Sequence, residues 1–259
     1  MLADMQENWL QGRHALITGG GTGIGAAAAR QLSAAGAKIT VTGRRREPLE
    51  AIAGEVGGAM AQCDVTMPDQ IGRAFDEARA ANGPIDILVV NAGIAESAPF
   101  HKMTRDSWNR IIATNLTGAF DCAQAALPDL LKSGNGRLVF IASVASLKGI
   151  PYAAHYGASK HGLLGLSRSL AAEYARSTMT VNAICPGYVD TPMTDQSIAR
   201  VAEITGRSEE TSRNTITEMN ASGRLVDPGG IATLILTLCL PQSRDITGAA
   251  LTIDGGTSA

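Results

Sequence analysis

His14-Ala15-Leu16-Ile17-Thr18-Gly19-Gly20-Gly21-Thr22-Gly23-Ile24-Gly25 is the stretch that decides the fold. Its first five residues form a short apolar run that halts at a glycine cluster, the pattern of a buried strand. Beyond the glycines, Ile24, Ala27, Ala28, Leu32 and Ala35 recur at helical spacing, and Gly36 stands where a helix would end. Strand, glycine turn and helix N-terminus in direct succession make a phosphate-binding turn. Glycine permits positive φ and close backbone approach, and the helix end offers free N–H groups with partial positive charge. A glycine cluster alone carries little; its strand and helix flanks carry the reading. No G-x-x-x-x-G-K-[ST] loop and no G-x-S-x-G elbow occurs, so an NTPase loop and a hydrolase elbow are unsupported.

Outward from this turn the chain keeps one beat. Lys38 to Thr42 reads as the next strand, and Pro48 marks a first helical turn that runs on to about Val56. Ala59 to Val65 is strand-like, Pro68 opens a helix, and Ile85 to Val90 is a strand without polar alternation. A long helical region from Thr104 to Leu131 leads to a strand from Arg137 to Ala142. A helix from about Ala153 to Ala175 precedes a strand from Met179 to Ile184. Pro228 starts a helix to Leu240, and Ala249 to Ile253 is the last strand. Unalternating strands separated by helices imply an α/β, doubly wound, mostly parallel sheet of about seven strands with helices on both faces. We expect a single domain over residues 1–259.

Composition agrees. Of 259 residues, 45% are apolar and 18% charged, which excludes disorder and permits a core that needs no staples. Aromatics are only 4%, which favours small-residue packing of helices on a sheet over an aromatic-rich sandwich. A net charge of −2 leaves no basic footprint for nucleic acid or an anionic membrane. Cys63, Cys122, Cys185 and Cys239 lie more than fifty residues apart, so free buried thiols are expected, not a zinc site or a disulfide framework. His14, His101, His155 and His161 show no metal-ligand spacing, and no metal is expected. Met1 to Gln11 carries Asp4 and Glu7 without the apolar core of a signal peptide, and no apolar run approaches a membrane span. A reducing cytoplasm is the expectation.

Chemistry-bearing residues gather at the carboxyl ends of the predicted strands, where open α/β sheets bind ligands. Asp64-Val65 follows the third strand, and Asn91-Ala92-Gly93 the fourth, although the latter would also serve as an ordinary turn. Ser143 lies just past the fifth. Tyr156 and Lys160 are spaced i, i+4 on one helix and share a face. A phenol titrates near 10, too high for acid/base work at neutral pH. An ammonium about 4 Å away contributes roughly 4 kcal/mol at an effective dielectric of about 20. That would lower the phenol's pKa by up to ~3 before desolvation subtracts. A solvated pair on an exposed helix would show the same spacing. Tyr152 is further from Lys160, and His155 points about 100° away around the helix from Tyr156.

Across essentially its whole length the sequence resembles the short-chain dehydrogenase/reductase family, of the compact single-domain kind with a Rossmann-type sheet. The family's Thr-Gly-x-x-x-Gly-x-Gly loop is matched by Thr18, Gly19, Gly23 and Gly25, with Thr22 and Ile24 between and beside them. Its Asn-Ala-Gly is matched by Asn91, Ala92 and Gly93, and its Tyr-x-x-x-Lys by Tyr156 and Lys160. The serine ahead of the tyrosine falls at Ser143, with Ser146 fitting less well, and the catalytic asparagine at Asn115. Pro186-Gly187 matches the segment that cups the nicotinamide, with Val189 and Thr191 at its carboxamide. The resemblance implies that Tyr156 passes the proton, Lys160 lowers its pKa and holds the ribose, Ser143 binds the substrate oxygen and Asn115 anchors a water. The cofactor would perform hydride chemistry between a nicotinamide and a ketone or secondary alcohol.

Cofactor choice is readable at the second strand. An NAD-specific site places an acid there, about twenty residues beyond the glycines. Here Gly43 holds that place and Arg44, Arg45 and Arg46 follow, so NADP(H) is favoured over NAD(H), with Arg44 and Arg45 beside the 2′-phosphate. A solvated basic patch is the plainer alternative. Many NADP-using relatives also carry a basic residue in the glycine loop; this loop has only Gly20, Gly21 and Thr22. Residues 188–226 are expected to form a substrate lid of two short helices, with Gly206 as a stop and Ser208 as a start. The resemblance is nearest to 3-oxoacyl reductases and hydroxyacyl dehydrogenases, and implies a small carbonyl or alcohol substrate and a homotetramer. A non-catalytic dinucleotide sensor on the same fold, and the family's longer epimerase-like kind, are the rivals; no room remains for the second substrate domain of the latter.

Overall fold

The computed structural model describes residues 8–259. Seven strands make one sheet: β1 (His14–Thr18), β2 (Lys38–Gly43), β3 (Ala59–Gln62), β4 (Ile87–Val90), β5 (Arg137–Ile141), β6 (Thr180–Pro186) and β7 (Ala250–Ile253). Their order is β3-β2-β1-β4-β5-β6-β7 and every pairing is parallel. Each parallel step therefore returns through a helix, and helices cover both faces. Because side chains alternate along a strand, neighbours enter opposite cores. Leu16, Leu88 and Phe140 pack beneath α3 (Pro68–Asn82), α5 (Gly118–Lys132) and α6 (Ala154–Glu173). Ile17, Val89 and Ile141 pack beneath α1 (Gly23–Ala34), α2 (Arg46–Val56) and α9 (Pro228–Cys239). Each such fully buried side chain contributes about 1.5–3 kcal/mol.

Strand order reverses between β1 and β4, where Ile17 lies opposite Val89. Connections diverge there, and a crevice opens at the carboxyl ends. The glycine turn after β1 and the Asn91 turn after β4 meet across it.

Several boundaries differ from the sequence reading by a few residues, three of them for an evident local reason. β3 stops at Gln62 because Asp64 folds its own turn: its Oδ1 accepts from Thr66 N at 2.9 Å and Thr66 Oγ1 at 2.8 Å. α2 begins at Arg46, ahead of Pro48, whose missing N–H costs nothing within a first turn. The long helix is broken. α4 (Arg105–Ile112) passes through a π-turn at Ala113–Thr117 before α5. The two short helices expected within residues 188–226 form: α7 (Pro192–Thr205) ends on Gly206 at φ 69°, and α8 (Glu209–Thr217) starts where Ser208 Oγ accepts from Thr211 N. No helix among the described residues is long and apolar enough to cross a membrane.

Candidate active site

The glycine turn is built from close approaches. A Cβ on Gly25 would collide with the Gly19 carbonyl oxygen, and one on Gly20 would lie 2.6 Å from the Val41 side chain. Gly19 and Gly23 take φ of 65° and 55°, the left-handed region that suits glycine. Gly23 faces Thr191, whose Cγ2 would be 3.0 Å from an added Cβ, so the turn and the lid base touch. Thr22 is the N-cap of α1 and Ile24 sits in its first turn. The N–H groups of that turn face a cradle a larger residue would fill, which suits a pyrophosphate.

Asn91-Ala92-Gly93 is more than an ordinary turn. Asn91 Nδ2 donates to the carbonyls of Thr18 at 2.9 Å and Gly19 at 3.1 Å, and the N–H groups of Asn91 and Ala92 both donate to Thr18 Oγ1 at 3.0 Å. These bonds stitch the ends of β1 and β4 together. A Cβ on Gly93 would lie 3.3 Å from Asn115 Oδ1 and 3.8 Å from Lys160 Nζ, so this turn leads straight to the catalytic candidates.

The π-turn carries Asn115 inward, where its side chain is buried. Such turns concentrate at functional sites. Asn115 Oδ1 accepts from Ile94 N, and Nδ2 donates to Ile94 O (both 2.9 Å) and to Ser159 Oγ at 3.1 Å. Both its N–H groups are thus committed to the β4–α4 loop and α6, leaving only oxygen lone pairs to hold a water. Ser143 Oγ accepts from Ala145 N at 3.1 Å, which leaves its own hydrogen to donate, and the Tyr156 phenol takes that hydrogen bond.

Lys160 is 5% exposed, which excludes a solvated surface pair. Its Nζ donates to the Ile141 carbonyl at 2.8 Å and lies 5.8 Å from the centroid of the Tyr156 ring. Burial pulls the ammonium down to about 8, against a smaller raising effect of Cys185. Burial also pushes the Tyr156 phenol up to about 12; the hydrogen bond from Ser143 pulls it down, and Tyr188 pushes it further up. Desolvation, which the sequence reading left to be subtracted, is the largest influence on Tyr156 here. The ammonium is aimed at a carbonyl and the ring, and desolvation outweighs what charge is left. His155 turns away as expected, its Nδ1 accepting from Tyr156 N at 3.0 Å.

Pro186 ends β6, and Gly187, Tyr188 and Val189 leave the sheet. Val189 is buried and bridges Val226 in parallel, and Thr191 caps α7. Asn220 accepts from Tyr188 N and donates to Tyr188 O, a clamp that no local pattern announces. The sequence reading did not single out Asn220, and it placed Thr18 in the glycine motif without the bonds its Oγ1 makes to Asn91 and Ala92. Asp64 is committed to its own turn, while Val65 packs on Gly118, where an added Cβ would lie 2.5 Å from the Val65 carbonyl. Beside the turn, a Cβ on Gly43 would lie 3.5 Å from Leu49 Cδ2 and 3.9 Å from Gly19 Cα. Arg44, Arg45 and Arg46 are exposed; Arg46 pairs with Glu50 at 2.7 Å, and among the described residues no ion pair engages Arg44 or Arg45. No group of three or more His, Cys, Asp or Glu among the described residues is placed to hold a metal ion.

Comparison with known proteins agrees with this geometry. The family described as "Enoyl-(Acyl carrier protein) reductase" matches residues 19–258. The 3-oxoacyl-[acyl-carrier-protein] reductase MabA of Mycobacterium tuberculosis is 35% identical over 94% of this chain and 92% of its own. The acetoacetyl-CoA reductase of Shinella zoogloeoides is 37% identical over 94% and 98%. The crystal structure of a variant actinorhodin polyketide ketoreductase with NADPH superposes with a TM-score of 0.92 at 33% identity, covering 97% of this chain and 99% of that one.

Proposed function

The chain belongs to the short-chain dehydrogenase/reductase family, and from that premise we propose that Tyr156, Lys160, Ser143 and Asn115 carry its reaction with NADP(H) as the preferred cofactor. The reaction class is an oxidoreduction between a ketone and a secondary alcohol. When bound, the nicotinamide supplies or accepts the hydride. Ser143, its Oγ orientation set by Ala145 N, donates to the substrate oxygen where negative charge grows. Tyr156 gives its proton to that oxygen in reduction and takes it back in oxidation. Lys160 holds a positive charge next to both and would reach the nicotinamide ribose. Asn115 holds the Ile94 loop against α6 and so keeps Gly93 beside Lys160.

The observation that carries this reading is the burial of Lys160. A dinucleotide sensor has no need to desolvate a lysine against a tyrosine, which costs stability wherever it occurs. We further propose one domain with a lid at 188–226, its glycine turn (Gly19, Thr22, Gly23, Ile24, Gly25), Asp64-Val65, Asn91-Ala92-Gly93 and Pro186-Gly187-Val189-Thr191 around the dinucleotide. Arg44 and Arg45, unpaired among the described residues and beside Gly43, would meet the 2′-phosphate. The substrate is a 3-oxoacyl or hydroxyacyl compound, the class named for the relatives above. NADPH consumption against a panel of 3-oxoacyl thioesters, short keto acids and plain ketones tests this; no consumption with any of them would leave the sensor.

We also propose a homotetramer in a reducing cytoplasm, which the four buried free thiols suit. On α5 and α6, the glycines Gly118 and Gly162 are used within the chain, against Val65 and Leu116. Gly165 and the exposed Phe120 remain on the outer face of α5 and α6. A monomer by light scattering at micromolar concentration would exclude the assembly.

A further inference from the structure

β6 pairs with β7 only as far as Pro186, opposite Ile253. The chain then departs, and the N–H of Tyr188 loses the strand neighbour that would have satisfied it, while its C=O turns to Val226 N. A buried backbone group left this way is costly. Asn220, beyond the end of α8, takes the N–H and shares the C=O. Its Oδ1 accepts from Tyr188 N at 2.9 Å, and its Nδ2 donates to Tyr188 O and to Arg224 O, each at 2.8 Å. The side chain is 1% exposed, so no solvent competes. A carboxamide here imitates one residue of a missing strand.

The clamp joins the two stems of the lid. Below it, Val226 N donates to Tyr188 O at 2.8 Å and Asp190 N to Val226 O at 2.9 Å. Asn220 also presses on the chain from behind: a Cβ on Gly187 would lie 2.5 Å from Asn220 Oδ1. The front of Gly187-Tyr188 faces the cleft, and the Tyr188 phenol lies close enough to Tyr156 to act on it electrostatically.

We infer that Asn220 is a positioning residue: its amide sets where Gly187-Tyr188 stands, and thereby the distance between the nicotinamide and the carbonyl held at Tyr156. This rests on the hydride-transfer reading above. An ordinary fold staple would protect stability alone. A positioning residue alters cofactor affinity and the hydride step in molecules that remain folded.

Asn220→Asp is the sharpest probe, because it keeps shape and the acceptor for Tyr188 N but turns the donor into an anion facing two carbonyls. Asn220→Ala removes the clamp, and Gly187→Ala approaches the same contact from the other side. Full-length variants folded at 25 °C would be titrated with NADPH by fluorescence, then assayed with protiated and deuterated NADPH. We expect the NADPH Kd to rise at least fivefold in Asn220→Asp, kcat to fall at least tenfold, and the deuterium isotope effect on kcat to increase. The double variant Gly187→Ala/Asn220→Ala should lose less than the product of the two single losses, since the alanine at 220 vacates the space the new methyl needs. Unchanged Kd and isotope effect with only a lowered Tm would overturn the inference. Should the wild-type protein bind NADPH yet reduce no ketone, the hydride reading fails, and the Kd of the Asn220 variants still judges the clamp.

Discussion

Lys160 Nζ lies 5.8 Å from the centroid of the Tyr156 ring and spends a hydrogen bond of 2.8 Å on the Ile141 carbonyl. Its charge is held at the side of the phenol, and burial keeps both groups nearer their neutral forms. A protonated Tyr156 is what carbonyl reduction requires, and a deprotonated one is what alcohol oxidation requires.

The first prediction concerns that proton. Tyr156→Phe should lower kcat at least a hundredfold, since a positioned acid/base is worth roughly 10²–10⁴, with NADPH affinity unchanged. Lys160→Met should damage both turnover and NADPH affinity, because Lys160 would hold the ribose as well. Near-normal steady-state rates for Tyr156→Phe would end the mechanism.

Burial of Lys160 links stability to pH. Its folded pKa is lowered from 10.5 to about 8. Below pH 8 the ammonium is charged in both states, and the folded protein bears the full desolvation cost. Between 8 and 10.5 the unfolded chain binds the extra proton, so stability from this group rises with pH. Lys160→Met removes the group, so its Tm relative to wild type should be highest below pH 8 and decline steadily toward pH 10.5. The lost bond to Ile141 shifts the offset but not the slope. A Tm difference flat across that range would show that the charge is not desolvated.

Cofactor choice turns on Arg44. The wild-type protein should prefer NADPH over NADH at least tenfold in kcat/KM, a difference of about 1.4 kcal/mol. Arg44→Asp should erase or reverse the preference by replacing attraction with repulsion at the 2′-phosphate. Equal use of both cofactors by the wild type would remove the arginine reading and leave the oxidoreductase intact.

The lid should be the least protected region in hydrogen exchange. Ile204 and Met219 stand 66% and 49% exposed on its outer parts, while its stems are pinned by the Val189–Val226 bridge and by Asn220. Residues 190–222 should gain protection when NADP(H) and a ketone analogue bind together. Equal exchange with and without ligands would count against a closing lid.

What the sequence determined by itself was whatever a local pattern can encode. Short apolar runs, helical spacing and glycine punctuation mark the elements, and an unalternating run such as Ile87–Val90 reads as a strand covered on both sides. Tyr156 and Lys160 share a face because four residues make about one helical turn. The glycine turn is legible because strand, turn and helix adjoin in the chain. Tertiary structure alone decided what joins distant segments. Thr18 meets Asn91 across 73 residues, and Asn220 meets Tyr188 across 32, with no periodicity to announce either contact. The π-turn at Asn115 and the end of β3 at Asp64 depend on side chains competing for backbone groups, which hydrophobic pattern does not see. The surroundings of Lys160 are of the same kind: spacing brings it near Tyr156, but its burial and the aim of its ammonium at the Ile141 carbonyl are set by the whole fold.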